Sequence, residues 1–123
     1  MKVLIVDDDN NIIEMIQSLI PWNDIGIREV HTAEQGQVAL DIIRREMPDI
    51  IISDIEMPVM NGIKTLEIIK ENEELSEIPV MFLTAAADVG TVVEAGNLGV
   101  VDYIKKPFMP DELAKRVKSA LGA

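Results

Sequence analysis

Three aspartates stand in a row at Asp7, Asp8 and Asp9, directly after the apolar run "KVLIV" (Lys2–Val6). A fourth, Asp54, follows a second such run, "DIIIS" (Asp49–Ser53). Thr84 closes a third, "PVMFL" (Pro79–Leu83), and the pair Lys105–Lys106 follows a fourth, "VVDYI" (Val100–Ile104), with Pro107 next. Carboxylates brought together repel, and some must take up protons unless a cation joins them. Hard oxygen donors suit Mg²⁺, which prefers one or two carboxylates plus phosphate and water. A carboxylate can also act as a nucleophile and form an aspartyl phosphate. A metal, a lysine and a hydroxyl would then offset the charge on the transferring phosphoryl group. With no cysteine, and with the one histidine, His31, on a different strand, the pattern argues against zinc. Singly, each residue is ordinary. An aspartate after a strand is usually a turn or a helix cap, exposed lysines are solvated, His31 is structural, and the seven methionines are core filler. The chemistry needs an architecture that brings these groups together.

The apolar pattern supplies one. "KVLIV" and "DIIIS" are continuous apolar strands of the kind buried on both faces, "PVMFL" and "VVDYI" are further strands, and "REVHT" (Arg28–Thr32) is a weaker one. Between them lie helical stretches. Ile12, Ile16 and Leu19 form a stripe that stops at Pro21. Thr32 and Gln35 resemble a capping box that opens a helix with Val38, Ala39, Ile42 and Ile43 inward, closed by Pro48. A loop with Pro58 and Gly62 leads into a helix carrying Ile63, Leu66 and Ile69. Asp88–Gly99 is a poor helix, broken by glycine and β-branched residues. Pro110 suits the first position of a final helix with Asp111 and Glu112 in its first turn and Leu113, Val117 and Leu121 inward.

Five strand–helix units in strict alternation predict an α/β fold, a doubly wound five-stranded parallel sheet with helices on both faces. Right-handed crossovers leave few topologies, and the strand order 2-1-3-4-5 is a common one. In that order the first and third strands are neighbours, so Asp7–Asp9 and Asp54 face one crevice beyond the strand ends, where ligands of such sheets bind. Thr84 joins from the fourth strand and a lysine from the edge strand.

Composition agrees. The 123 residues fit one domain, residues 1–123, and 48% hydrophobic content allows a substantial core. No apolar run approaches a membrane span or a signal peptide, so the chain is expected to be soluble and away from the membrane. The absence of cysteine suits a reducing cytoplasm. A net charge of −11 makes direct nucleic-acid binding by this domain a poor expectation.

With these residues in place, the chain resembles a response-regulator receiver domain of two-component signalling, flavodoxin-like in fold. The resemblance runs along the whole chain through "LIVDDD", "PDIIISDIEMPVMNG", "VMFLTA" and "DYIKKPF", and its most specific part is Asp54-x-x-Met57-Pro58-x-x-x-Gly62. It implies that Asp54 is the phosphoacceptor, that Asp8 and the Glu56 backbone carbonyl join Asp54 in holding Mg²⁺, and that Asp7 acts through metal-bound water. Thr84 and Lys106 would contact the phosphoryl group, Tyr103 would reorient on activation, and the Lys106–Pro107 bond would be cis. The implied partners are a sensor histidine kinase or phosphotransfer protein upstream and an output domain or separate protein downstream, with dimerisation on activation as a further option. The surface of the fourth helix, fifth strand and fifth helix would carry the signal.

Some positions depart from the family pattern. Asp9 stands where glutamate is common, and Met109 stands where a capping serine is frequent. "IPWNDIGI" (Ile20–Ile27) is similar to receivers joined to AraC-type domains, whereas the second half is not, so no output domain is assigned. Small Ala86, two residues after Thr84, would leave water a path to the acyl phosphate and give it an ordinary lifetime. Phosphatases of the haloacid-dehalogenase type use similar groups, but there the nucleophile follows the first strand and the acidic pair comes late. A receiver that no longer takes phosphate is the other alternative, and the full residue set argues against it.

Overall fold

Along the central strands successive side chains enter two different cores. In the computed structural model, which describes residues 1–56, 60–85 and 89–122, Leu4 and Val6 join one apolar cluster while Val3 and Ile5 join another. Ile51 and Phe82 fall with the first pair, and Ile50, Ile52, Met81 and Leu83 with the second. A strand buried on both faces has no polar side to show, which is why "KVLIV" and "DIIIS" read as unbroken apolar runs.

The elements follow in the order β1 (Lys2–Val6), α1 (Asn10–Leu19), a 3₁₀ turn (Trp22–Ile25), β2 (Glu29–Ala33), α2 (Gly36–Glu46), β3 (Ile50–Ser53), α3 (Gly62–Glu71), β4 (Val80–Thr84), α4 (Val89–Asn97), β5 (Asp102–Lys105) and α5 (Pro110–Ala120). All strand pairs are parallel and the sheet order is β2-β1-β3-β4-β5. The first cluster takes Ala39, Leu40, Ile42 and Ile43 of α2, Ile63, Leu66 and Ile69 of α3, and Ala95 of α4. The second takes Ile13 and Ile16 of α1 with Leu113 and Val117 of α5. The expected doubly wound sheet is therefore what the chain forms.

Local expectations differ from the structure in several places. Thr32 does not cap α2; it lies in β2 opposite Ile5, and the helix starts at Gly36 behind Gln35, whose side chain makes no capping bond. The parallel ladder with β1 claims Thr32 before a cap can form. In α1 the buried stripe is Ile13 and Ile16, continued by Ile20 as the chain leaves the helix, while Leu19 is 52% exposed. In α2 Leu40 is buried and Val38 is exposed. β5 starts at Asp102, later than Val100, and Val101 is exposed. Leu121 follows the last turn of α5 and packs on the second cluster only partly buried. Of the methionines, Met81 fills the core, Met60 packs partly buried against it, and Met1, Met15, Met47 and Met109 are exposed, so core filling does not explain most of them. Met57 lies outside the described residues.

The segment "IPWNDIGI" folds as a compact corner. Pro21 ends α1, Trp22 and Ile27 are buried, and the corner closes at Gly26 with φ +85°. That left-handed conformation costs glycine nothing and other residues a Cβ clash.

At the start of α5, Met109 occupies the N-cap in extended conformation without a side-chain capping bond, and it is 67% exposed. Replacing it removes little packing and can supply the missing acceptor. Met109→Ser is expected to stabilise the fold by roughly 0.5–2 kcal/mol, read as a higher midpoint in urea denaturation; an unchanged midpoint would count against the capping argument.

Candidate functional site

β1 and β3 lie side by side, and an aspartate follows each directly, Asp7 and Asp54. The Asp54 amide donates to the Val6 carbonyl at 2.8 Å, which extends the ladder one residue past β3 and places Asp54 beside Asp7. Asp7 and Asp54 are buried and Asp8 is exposed. Carboxylate oxygens of Asp7, Asp8 and Asp54 all lie within 4.8 Å of one another. Asp9 instead serves the next helix as the N-cap of α1, its side chain accepting from the Asn11 amide at 2.9 Å.

The cation comes from β5. Lys105 is exposed, whereas Lys106 Nζ donates to Asp7 Oδ2 at 2.7 Å and to Asp54 Oδ2 at 3.5 Å. The Lys106 amide donates to the Thr84 carbonyl at 2.9 Å, so the fully buried end of β4 sets where the lysine leaves the sheet. The Lys106–Pro107 bond is cis, as the resemblance implied. Tyr103 lies on β5 opposite Phe82, partly buried against the first cluster. Glu56 follows Ile55 with its side chain exposed. Met57, Pro58 and Ala86 lie outside the described residues.

The electrostatics show a site short of positive charge. Burial pushes the Asp7 carboxyl up, against the bonds from Lys106 and the Asp9 amide that draw it down. Burial alone would lower the Lys106 ammonium, but the hydrogen bond to Asp7 and the charges of Asp7 and Asp54 outweigh it, and its pKa is raised. Among the described residues three carboxylates face one ammonium, so about two negative charges remain, which a divalent cation would balance. The donors are all oxygen, which fits Mg²⁺ far better than a thiophilic metal.

Asp54 is held at both ends of its backbone. Its Oδ1 accepts from the Ile55 amide at 2.8 Å, its carbonyl accepts from the Ser53 hydroxyl at 2.9 Å, and the Gly62 amide donates to the Ile55 carbonyl at 2.8 Å. Gly62 opens α3 so close to this turn that an added Cβ would overlap the Asp54 carbonyl oxygen and come within 2.9 Å of Ile55 Cα. Neighbouring Asn61 caps α3 by accepting from the Lys64 amide.

A groove of about 340 Å³ lies beside the lysine, lined by Ile12, Met15, Ala85, Lys106, Pro107 and Phe108. Sequence reasoning missed it; Ile12 and Met15, three apart on α1, and Phe108 after Pro107 were the available signal. Elsewhere, His31 Nε2 lies 3.3 Å from Glu29 and 3.7 Å from Glu46. The Lys2 ammonium already serves both carboxylates, at 3.6 and 3.1 Å, so this group is an ion-pair network joining β1, β2 and the end of α2.

The profile of the response regulator receiver domain matches residues 3–118. The chain belongs to this family. Among curated relatives, the regulatory protein AtoC of Escherichia coli is 39% identical over 98% of this receiver and 25% of its own length. The chemotaxis protein CheY-3 of Vibrio cholerae is 35% identical over 95% of this receiver and 88% of its own. The chain therefore spans a quarter of one relative and most of another. The solved receiver (REC) domain of AraT, a response regulator from Geobacillus stearothermophilus, superposes with a TM-score of 0.88 at 32% identity, covering 98% of this chain and 92% of that one.

In this receiver the fit of Gly62 against the Asp54 turn is a direct test of how the site is positioned. Gly62→Ala must push the turn aside, and overpacking of this kind costs about 1–3 kcal/mol. The expected outcome is a lower denaturation midpoint together with weaker Mg²⁺ binding by calorimetry; a variant with wild-type affinity would show that the turn does not position the carboxylate.

Proposed function

We propose that this receiver is a Mg²⁺-dependent phosphoacceptor switch in which Asp54 takes the phosphoryl group from a phosphohistidine on a sensor histidine kinase or phosphotransfer protein. One observation carries the reading: the buried Asp54 carboxylate has one oxygen held by the Ile55 amide and the other facing Lys106, with Asp7 and Asp8 within 4.8 Å. An oxygen of Asp54 attacks phosphorus as the phosphorus–nitrogen bond breaks; the donor imidazole leaves with the bonding pair. Asp8, Asp54 and the Glu56 carbonyl would hold Mg²⁺, with Asp7 acting through water, and the metal would neutralise charge on the phosphoryl oxygens. Lys106 pairs with the new dianion and the Thr84 hydroxyl donates to it, both charge-stabilising roles. Water later attacks the acyl phosphate and resets the site. The chain thus catalyses its own phosphorylation and dephosphorylation and turns over no separate substrate.

Signal output follows from Thr84. Drawn toward the phosphoryl group, it leaves space that Tyr103 enters, shifting a two-state population. Exposed Val92 and Val93 on α4 and Val101 before β5 lie on the surface that changes, and an output domain, a separate protein or a second copy would cover them. The apolar groove beside Lys106 would seat a side chain of the phosphodonor. The net charge of −11 argues against nucleic-acid contact by this part of the protein. The cytoplasmic setting belongs to the same proposal; no helix among the described residues is long and apolar enough to cross a membrane.

Incubation with acetyl phosphate should label the wild-type chain only when Mg²⁺ is present, detected as an added phosphoryl mass. Asp54→Ala should abolish the label and Lys106→Ala should slow it by roughly 10²–10³-fold, the usual cost of losing one preorganised charge-stabilising group. Labelling that persists in Asp54→Ala would sink the assignment.

A further inference from the structure

We propose that Ser53, through a hydroxyl bond to the Asp54 carbonyl, is a positioning residue for the reactive carboxylate. The inference rests on the reading of Asp54 as the phosphoacceptor. Ser53 is the last residue of β3, buried, paired with Val6 on one side and Phe82 on the other. A hydroxyl in such a place needs a partner. Its Oγ donates to the Asp54 carbonyl at 2.9 Å.

That carbonyl and the Ile55 amide belong to one planar peptide group. The amide end donates to Asp54 Oδ1 at 2.8 Å. Ser53 thus grips one end of a rigid plate whose other end grips the carboxylate. Tilting the plate would swing the Ile55 N–H away from Oδ1 and release the carboxylate to rotate. The flanking bonds leave the plate as the adjustable link: the Asp54 amide is tied to Val6 and the Ile55 carbonyl to Gly62. Gly62, with no Cβ, leaves room for the Asp54 carbonyl to sit where the serine hydroxyl meets it. Orientation of a reacting group within a site contributes strongly to rate, and small misplacements are costly.

The test compares Ser53→Ala with the wild type in two measurements on the whole chain. The Ile55 amide proton, held against a carboxylate, is followed by NMR, and the rate of phosphorylation by acetyl phosphate is measured at saturating Mg²⁺, well below the melting temperature. Ser53→Ala should move the Ile55 resonance upfield, lower its exchange protection and slow labelling by roughly three- to thirtyfold. Ser53→Thr, which keeps the hydroxyl, should restore both. Should its extra methyl strain the core, Ser53→Cys, a weak donor of similar shape, should fall between alanine and wild type. A merely structural serine would lower the melting temperature and leave the Ile55 resonance and the rate unchanged; that result, or slower labelling with an unmoved Ile55 amide, overturns the proposal. Absence of label on the wild type would instead defeat the phosphoacceptor reading, and the Ile55 resonance would still decide whether Ser53 orients the carboxylate.

Discussion

The repulsion among Asp7, Asp8 and Asp54, only partly relieved by Lys106, is the constraint on which the rest of this structure depends. Two of the three carboxylates are buried, and the Lys106 ammonium sits at 2.7 Å from Asp7 and 3.5 Å from Asp54. Burying charge is unfavourable unless it is paired, and here the pairing is incomplete. Such a site favours whatever brings positive charge to it, and its all-oxygen donors are of the kind that suit a hard divalent ion.

The fold holds the repelling groups together by making their backbones part of the sheet. Central strands β1 and β3, each buried on both faces, bring Val6 and Asp54 into hydrogen-bonding register. The two apolar clusters on either face supply the stabilisation that offsets the crowding. From the other flank, the end of β4 fixes the Lys106 backbone through the Thr84 carbonyl, so the lysine is delivered from a sheet that cannot easily withdraw it. α4 is anchored differently. Among its described side chains only Ala95 is in the core, while Val92 and Val93 face outward. A helix with so little buried apolar surface is the element a change at the site could displace at low cost.

Much of this was legible in the residues. Strand runs and their order could be read because a strand buried on both faces leaves a continuous apolar signature, and from that order the meeting of Asp7 with Asp54 follows. What could not be read depended on competition between local and tertiary bonds. Thr32 has the chemistry of a helix cap, yet the β1 ladder takes it. Asp9, by contrast, was open to a helix-cap reading, and its side chain does cap α1. Lys105 and Lys106 are identical in type, and the parity of β5 sends one to solvent and the other to the site. The groove around Met15 and Phe108 is made by residues 93 apart, a contact no local pattern announces.

Competition between Lys106 and a divalent ion for the same carboxylates is the most direct consequence of the crowding. The decisive measurement is Mg²⁺ affinity by isothermal titration calorimetry, at fixed ionic strength near neutral pH, for the wild type and Lys106→Met. Removing one positive charge a few ångströms from the ion should tighten binding by roughly tenfold, as Coulomb repulsion in a high effective dielectric implies. Affinity that is equal or weaker in Lys106→Met, or no Mg²⁺ binding by the wild type, would show that unbalanced negative charge is not what organises the site.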